Sequence, residues 1–258
     1  MNTLLIDDKQ YNGPGSWREL THEQVERIFA LDLLQPMHVL RLHLIKIIYG
    51  APWKRIFSIA QEDLPKLELL TQFVINEPKL LTNPVPMVNI DGHVLHGPAG
   101  TLENICFGEW IFSDMYLKEL DQAKPDALEG LIATLWRPGK ENHEIESEAW
   151  DGDVRKAFNK FSIERRIPLM KKLKPAQKKS MLYFITCSRK AIMLAHPDVF
   201  IAQPQKKIYK TMQDEGNWID VLLTIGGGKF GNVYQTELAL FSDVLIELER
   251  LIKLKNAS

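Results

Sequence analysis

The chain has 258 residues, 45% hydrophobic and 25% charged, the composition of an ordinary globular protein with length enough for a substantial core. Its 32 Lys and Arg against 33 Asp and Glu leave a net charge of -1, so the basic excess of a dedicated nucleic-acid coat is missing. The richest apolar run, residues 40–49, is interrupted by Arg41, His43 and Lys46, which excludes a membrane span, and the first residues lack a signal-peptide core.

In chain order, Asn12-Gly13-Pro14-Gly15-Ser16 is a turn-forming cluster. Thr21 with Gln24 is a capping box, because each side chain satisfies an orphan backbone N–H at the helix start. Val25, Ile28, Phe29 and Leu33 then follow at helical spacing as far as Pro36. Val39, Leu40, Leu42, Leu44, Ile45, Ile47 and Ile48 make a second helix, apolar on most sides, closed by Gly50 and expected at the centre of the core. Further helical pieces are expected over residues 53–60 and 64–75, with Pro65 in the first turn of the latter. From Asn76 the texture changes, and Pro78, Pro84, Pro86 and Pro98 exclude a long helix. Met87-Val88-Asn89-Ile90 and His93-Val94-Leu95-His96 flank Asp91-Gly92, a dipeptide that accepts the positive φ of a type I′ turn. One small β-hairpin at about residues 86–96 is the only sheet expected.

The densest apolar helical pattern of the first half lies within residues 100–138. Phe107, Trp110, Ile111, Asp114, Leu117 and Leu120 fit one helix. Leu128, Leu131, Ile132 and Leu135 fit a second, begun at Pro125-Asp126 and stopped at Arg137-Pro138-Gly139. A loop with six carboxylates follows: Glu141, Glu144, Glu146, Glu148, Asp151 and Asp153. Charge then reverses, with ten Lys or Arg and one acid, Glu164, between residues 155 and 179. Helices are expected over residues 154–161, 163–173, 175–196 and 218–225, with a loop around Gln203-Pro204. A final helix over residues 233–254 carries a stripe of Leu238, Phe241, Leu245, Leu248 and Ile252. The fold class is therefore mainly α: one multi-helix domain spanning residues 1–258 with a small hairpin, the alternative being two subdomains meeting at residues 140–153.

Chemical motifs are sparse. Gly226-Gly227-Gly228-Lys229 offers glycines that could let backbone N–H groups approach a phosphate. A P-loop, however, needs two glycines bracketing four residues, then Lys and Ser or Thr after a strand, so a helix C-cap and turn fit better. His93 and His96 lie three apart on a strand and point to opposite faces, which does not make a metal site. The acidic loop lacks the spacing of a calcium loop and reads as solvated. The basic stretch has Phe158 and Phe161 as its only aromatics and reads as the solvated faces of amphipathic helices. Cys106 and Cys187 have no local His, no Gly-x-Ser-x-Gly elbow occurs, and both thiols read as reduced and buried in a cytoplasmic protein. No catalytic, cofactor or metal site is read.

Several stretches resemble a group of proteins from phages and prophage-like elements of Bacteroidota. They are Leu102 to Asp114 with Phe107-Gly108-Glu109-Trp110, Leu135-Trp136-Arg137-Pro138, Asp153-Val154-Arg155 with Phe158-Asn159, and Trp218 through Phe230-Gly231 to the closing helix. They cover about half the chain and are structural punctuation, so the resemblance carries over no functional residue. It implies a non-enzymatic assembly or structural protein, tail assembly chaperone-like, whose partners are phage structural or tail proteins. The contact elements expected on that reading are Trp150, the acids Glu144, Glu146 and Glu148, and the basic Lys171, Lys172 and Lys174. The alternatives are a nucleic-acid-associated protein using residues 155–179 and a nucleotide-binding enzyme using Gly226 to Lys229.

Overall fold

The computed structural model describes residues 2–32, 35–60, 63–75, 80–148, 150–200 and 218–256. Leu33, Pro78 and the loop expected around Gln203-Pro204 lie outside the described residues. The protein is mainly α, with thirteen α-helical segments and two small sheets among those residues. Two compact units are distinguishable: residues 1–85 with 174–187, and residues 86–173 with 188–258.

The first unit opens with a hairpin of β1 (Asn2–Ile6) and β2 (Lys9–Gly13), a second sheet where only one was expected. Its turn is Asp7-Asp8, both at positive φ, a conformation that Asp tolerates better than most residues because its short side chain bonds locally. Strand alternation buries Leu4 and Ile6. Gly13 is needed for close approach, since a Cβ there would stand 2.7 Å from the Tyr49 ring.

Helix α1 (His22–Phe29) has the complete Thr21–Gln24 capping box. Helix α2 (Met37–Tyr49) starts after Pro36 and ends at Gly50 in the left-handed conformation, as its composition requires. Leu40, Leu44, Ile45, Ile47, Ile48 and Tyr49 of α2 are all buried, so its all-round apolarity is used in the core of this unit. Helix α3 (Trp53–Ile56) stops well short of Ala60, and α4 (Leu64–Ile75) forms where Pro65 suits a first turn. Trp17 donates its indole N–H to Phe73 O at 3.0 Å and packs with Phe29 and Tyr183.

The second unit begins with β3 (Met87–Ile90) and β4 (His93–His96), paired around Asp91 and Gly92 at φ 51° and 82°. This is the expected hairpin. A short third strand, described below, joins its β4 edge. Helix α5 (Phe107–Asp121) packs on α6 (Ala127–Leu135). The residues that stop α6 continue as that third strand, β5 (Arg137–Pro138), pairing His96 with Arg137. A short α7 (Asn142–Ile145) follows, then α8 (Ile163–Lys171), which packs on α6. Helix α9 (Pro175–Ala195) gives its first part to the first unit and Ser188 onward to the second. The chain closes with α10 (Pro197–Phe200), α11 (Trp218–Ile225), α12 (Val233–Leu238) and α13 (Phe241–Asn256).

Two helical expectations are corrected here. Residues 154–159 are not helical; Lys140 N donates to Val154 O and Lys156 N to Pro138 O, both at 2.8 Å, which holds this segment extended beside β5. The segment 140–153 is thus an excursion within the second unit, closed at its base by these two bonds. The last helix is broken at Ala239-Leu240. There Phe107 N donates to Ala239 O and Phe241 N to Ile105 O, both at 2.9 Å, so backbone bonding to the start of α5 outcompetes a continuous helix. The break seats Phe241 against Trp110, stacked at 4.2 Å, within a cluster of Phe107, Phe200 and Trp218.

Candidate functional site

The chemistry of the second unit converges on a buried charge cluster. Glu109 sits in the first turn of α5, where the exposed backbone N–H groups of the helix start favour a carboxylate, and it accepts Cys106 N at 2.9 Å. Its other oxygen faces two guanidinium groups: Arg155 Nη1 donates to it at 3.1 Å, and Arg137 Nε lies 3.1 Å away as an ion pair. Glu109 and the Arg155 side chain are fully buried.

Asp153 completes the cluster. It accepts Arg155 Nε at 3.0 Å and Nη2 at 2.9 Å, Arg137 Nη2 at 3.0 Å, and the Asn104 side-chain N–H at 3.1 Å. The remaining guanidinium donors reach backbone carbonyls: Arg155 to Leu135 O at 3.0 Å and Asn104 O at 2.7 Å, Arg137 to Lys156 O at 2.6 Å. Two cations thus balance two carboxylates, and the network ties α5, the end of α6, β5 and the extended segment together. Buried charges persist only when paired and hydrogen-bonded in this way. Burial lowers the Arg137 pKa despite Glu109. Burial pulls the Arg155 pKa the same way, but Glu109 and Asp153 outweigh it and the net shift is upward. Burial, reinforced by Glu109, pushes the Cys106 thiol far up, so it offers no thiolate nucleophile. One further cation, Arg166, bonds Ala133 O at 2.8 and 3.0 Å, and burial lowers its pKa to about 10.

None of these residues was singled out as a site from sequence. Arg137 reads there as a helix stop, Asp153 as a solvated loop acid and Arg155 as the start of a helix; Asp153 is in fact the part of the acidic loop drawn inside. A signal was present in Glu109, a carboxylate set between Phe107, Trp110 and Ile111 in an apolar helical pattern, which demands a buried partner.

The contact residues expected from sequence are spread out. Trp150 is 41% exposed with its indole N–H donated to Asp153 O. Glu144 caps α7 by accepting Glu141 N at 2.7 Å, and Glu146 and Glu148 are exposed. Lys171 pairs with Asp126 at 2.8 Å and Lys172 with Asp91, both in the second unit, whereas Lys174 pairs with Glu26 at 2.8 Å in the first. With Arg155 and Arg166 turned inward and Lys160 paired with Glu237 at 3.0 Å, much of the basic stretch is tied to the protein's own acceptors.

The glycine turn is closed in the same sense. Gly226 N donates to Leu222 O, Gly227 N to Gly231 O and Gly228 N to Ile225 O, so these N–H groups are spent on the turn itself. Gly227 and Gly231 have positive φ, as the C-cap reading requires. On β4, His93 is exposed and His96 half-buried, and no group of three metal-ligating side chains occurs among the described residues. Cys187 is half-buried rather than buried. No helix among the described residues is long and apolar enough to cross a membrane. In comparison with known proteins, no family model, no curated protein and no solved structure matches the chain.

Proposed function

We propose that this protein is a non-enzymatic assembly or structural factor that works through protein–protein contacts, phage- or prophage-encoded and engaged in tail assembly, in the cytoplasm or on the virion. The observation that supports it is the set of large apolar side chains held in solvent on the closing helices of the second unit. Leu223 on α11 is 58% exposed, Tyr234 on α12 is 65% exposed, and Ile246 and Leu254 on α13 are exposed as well. Helices α11 and α13 already bury Trp218 and Phe241 in the aromatic cluster and α12 buries Thr236 and Glu237, so these exposed positions gain little in the isolated chain, whereas a partner surface would use them. The buried charge cluster serves this reading as a rigid frame. Its charges are matched internally, with Glu109 and Arg155 fully buried and Asp153 mostly so.

The test is affinity capture of the tagged protein from cells expressing its genetic element, with mass spectrometry of what co-purifies. Recovery of tail or other virion proteins, lost on Leu223→Asp with Tyr234→Asp, is the expected result. Recovery of nothing, or of nucleic acid alone, overturns the reading and puts residues 155–179 first.

A further inference from the structure

The first unit carries a cleft of about 380 Å³ between α1 and the middle of α2. Leu31, Ile47 and Trp53 supply its apolar walls, and Arg27, His43 and Lys46 its polar groups; no acid among the described residues lines it. His43 and Lys46, three apart on α2, share a helix face. Trp53 meets His43 edge-on at 5.0 Å and stacks on the 71% exposed Phe57 at 5.4 Å, giving an aromatic wall that runs out into solvent.

Lys171, Lys172 and Lys174 each hold an acid of their own chain. Among the described residues Lys46, half-buried, takes part in no ion pair, and Arg27 pairs with the exposed Glu23 at 3.9 Å. An apolar cavity with the half-buried Lys46 and the loosely held Arg27 on its walls is complementary to an apolar group carrying carboxylates beside it. We infer that this cleft is a docking site for an acidic amphipathic peptide segment of a partner protein. One Leu- or Phe-sized side chain enters between Leu31, Ile47 and Trp53, while neighbouring carboxylates meet Lys46 and Arg27. This inference rests on the protein–protein reading above and names the chemistry of one partner surface.

The experiment uses the full chain and a short fluorescein-labelled peptide carrying Leu and Phe one helical turn apart among Asp and Glu, read by fluorescence anisotropy. Its counterpart with Lys in place of the acids is the charge control. Binding of the acidic peptide, absence of binding by the Lys peptide, and weakening by about tenfold or more in Lys46→Glu and in Arg27→Glu are expected. Lys253→Glu, on an exposed position of α13, leaves binding unchanged. No binding of the acidic peptide, equal binding of the Lys peptide, or equal effects of Lys46→Glu and Lys253→Glu overturns the inference. Affinity capture separates the two proposals. Virion proteins recovered equally by Lys46→Glu and the unaltered chain refute the cleft and leave the general reading standing; peptide binding that needs Lys46, with no virion protein recovered, does the reverse.

Discussion

Replacing Glu109 with Gln should remove a large part of the stability of the second unit. The substitution keeps the side-chain shape and leaves a carbonyl oxygen for Cys106 N, so the helix cap survives and charge alone is changed. One oxygen of Glu109 lies 3.1 Å from both Arg155 Nη1 and Arg137 Nε. At an effective dielectric of about 20, each such contact is worth about 5 kcal/mol before desolvation is subtracted. Without the carboxylate, two buried guanidinium groups share only Asp153, and an uncompensated charge stays inside. Loss of one partner from a buried pair costs about 3–5 kcal/mol, a large share of the 5–15 kcal/mol typical of a folded domain. Urea unfolding followed by Trp fluorescence measures it, with Trp110, Trp136 and Trp218 reporting from this unit. A Glu109→Gln and Arg155→Met double-mutant cycle should show coupling of about 1.5 kcal/mol or more. A loss below about 1 kcal/mol for Glu109→Gln, at unchanged urea dependence, would refute the view that the cluster holds the unit together.

Gly130→Ala should cost roughly 1–3 kcal/mol through overpacking, because its Cβ would fall 2.2 Å from the Tyr116 ring. Thermal melting checks this, and Tyr116→Leu should recover part of the loss in the double variant. Cys106 should resist iodoacetamide at pH 8 in the folded chain and react only after unfolding, as read by intact mass and peptide mapping, since burial raises its pKa and hides its sulfur. Asp91 has its pKa lowered chiefly by the Lys172 hydrogen bond. Its contribution to stability is therefore full above the unfolded carboxylate value of about 3.9 and is lost as pH falls through the lower folded value. Lys172→Gln should move the Asp91 titration midpoint upward in a carboxyl-carbon NMR titration; an unmoved midpoint would contradict the pairing.

Helix positions were legible wherever the deciding physics is local. The Thr21–Gln24 box, the Gly50 cap, Asp91-Gly92 and the glycine turn after α11 each act through neighbours a few residues away, and all adopt the expected conformations. The first hairpin was missed although its turn, Asp7-Asp8, is also local, because acids tolerate positive φ less distinctively than Asn-Gly or Asp-Gly pairs. Residues 154–159 and the break at Ala239-Leu240 were read as helix because apolar spacing there fits helical periodicity. Their carbonyls and N–H groups are claimed by strands and helix starts far along the chain.

The charge cluster marks the same division more sharply. Composition and pattern by themselves determined a mainly α protein and the helix carrying Glu109, whose carboxylate amid apolar residues was an unread signal of a buried partner. They did not determine which cation, because Arg155 lies 46 residues away and the sequence offers 31 other Lys and Arg. Only the tertiary structure decided that Arg137 and Arg155 turn inward while Lys171 and Lys172 pair at the surface. Buried charges are tolerated where their counter-charges and most of their hydrogen-bond partners arrive together, and that depends on how α5, α6, β5 and the extended segment pack, not on any one of them alone.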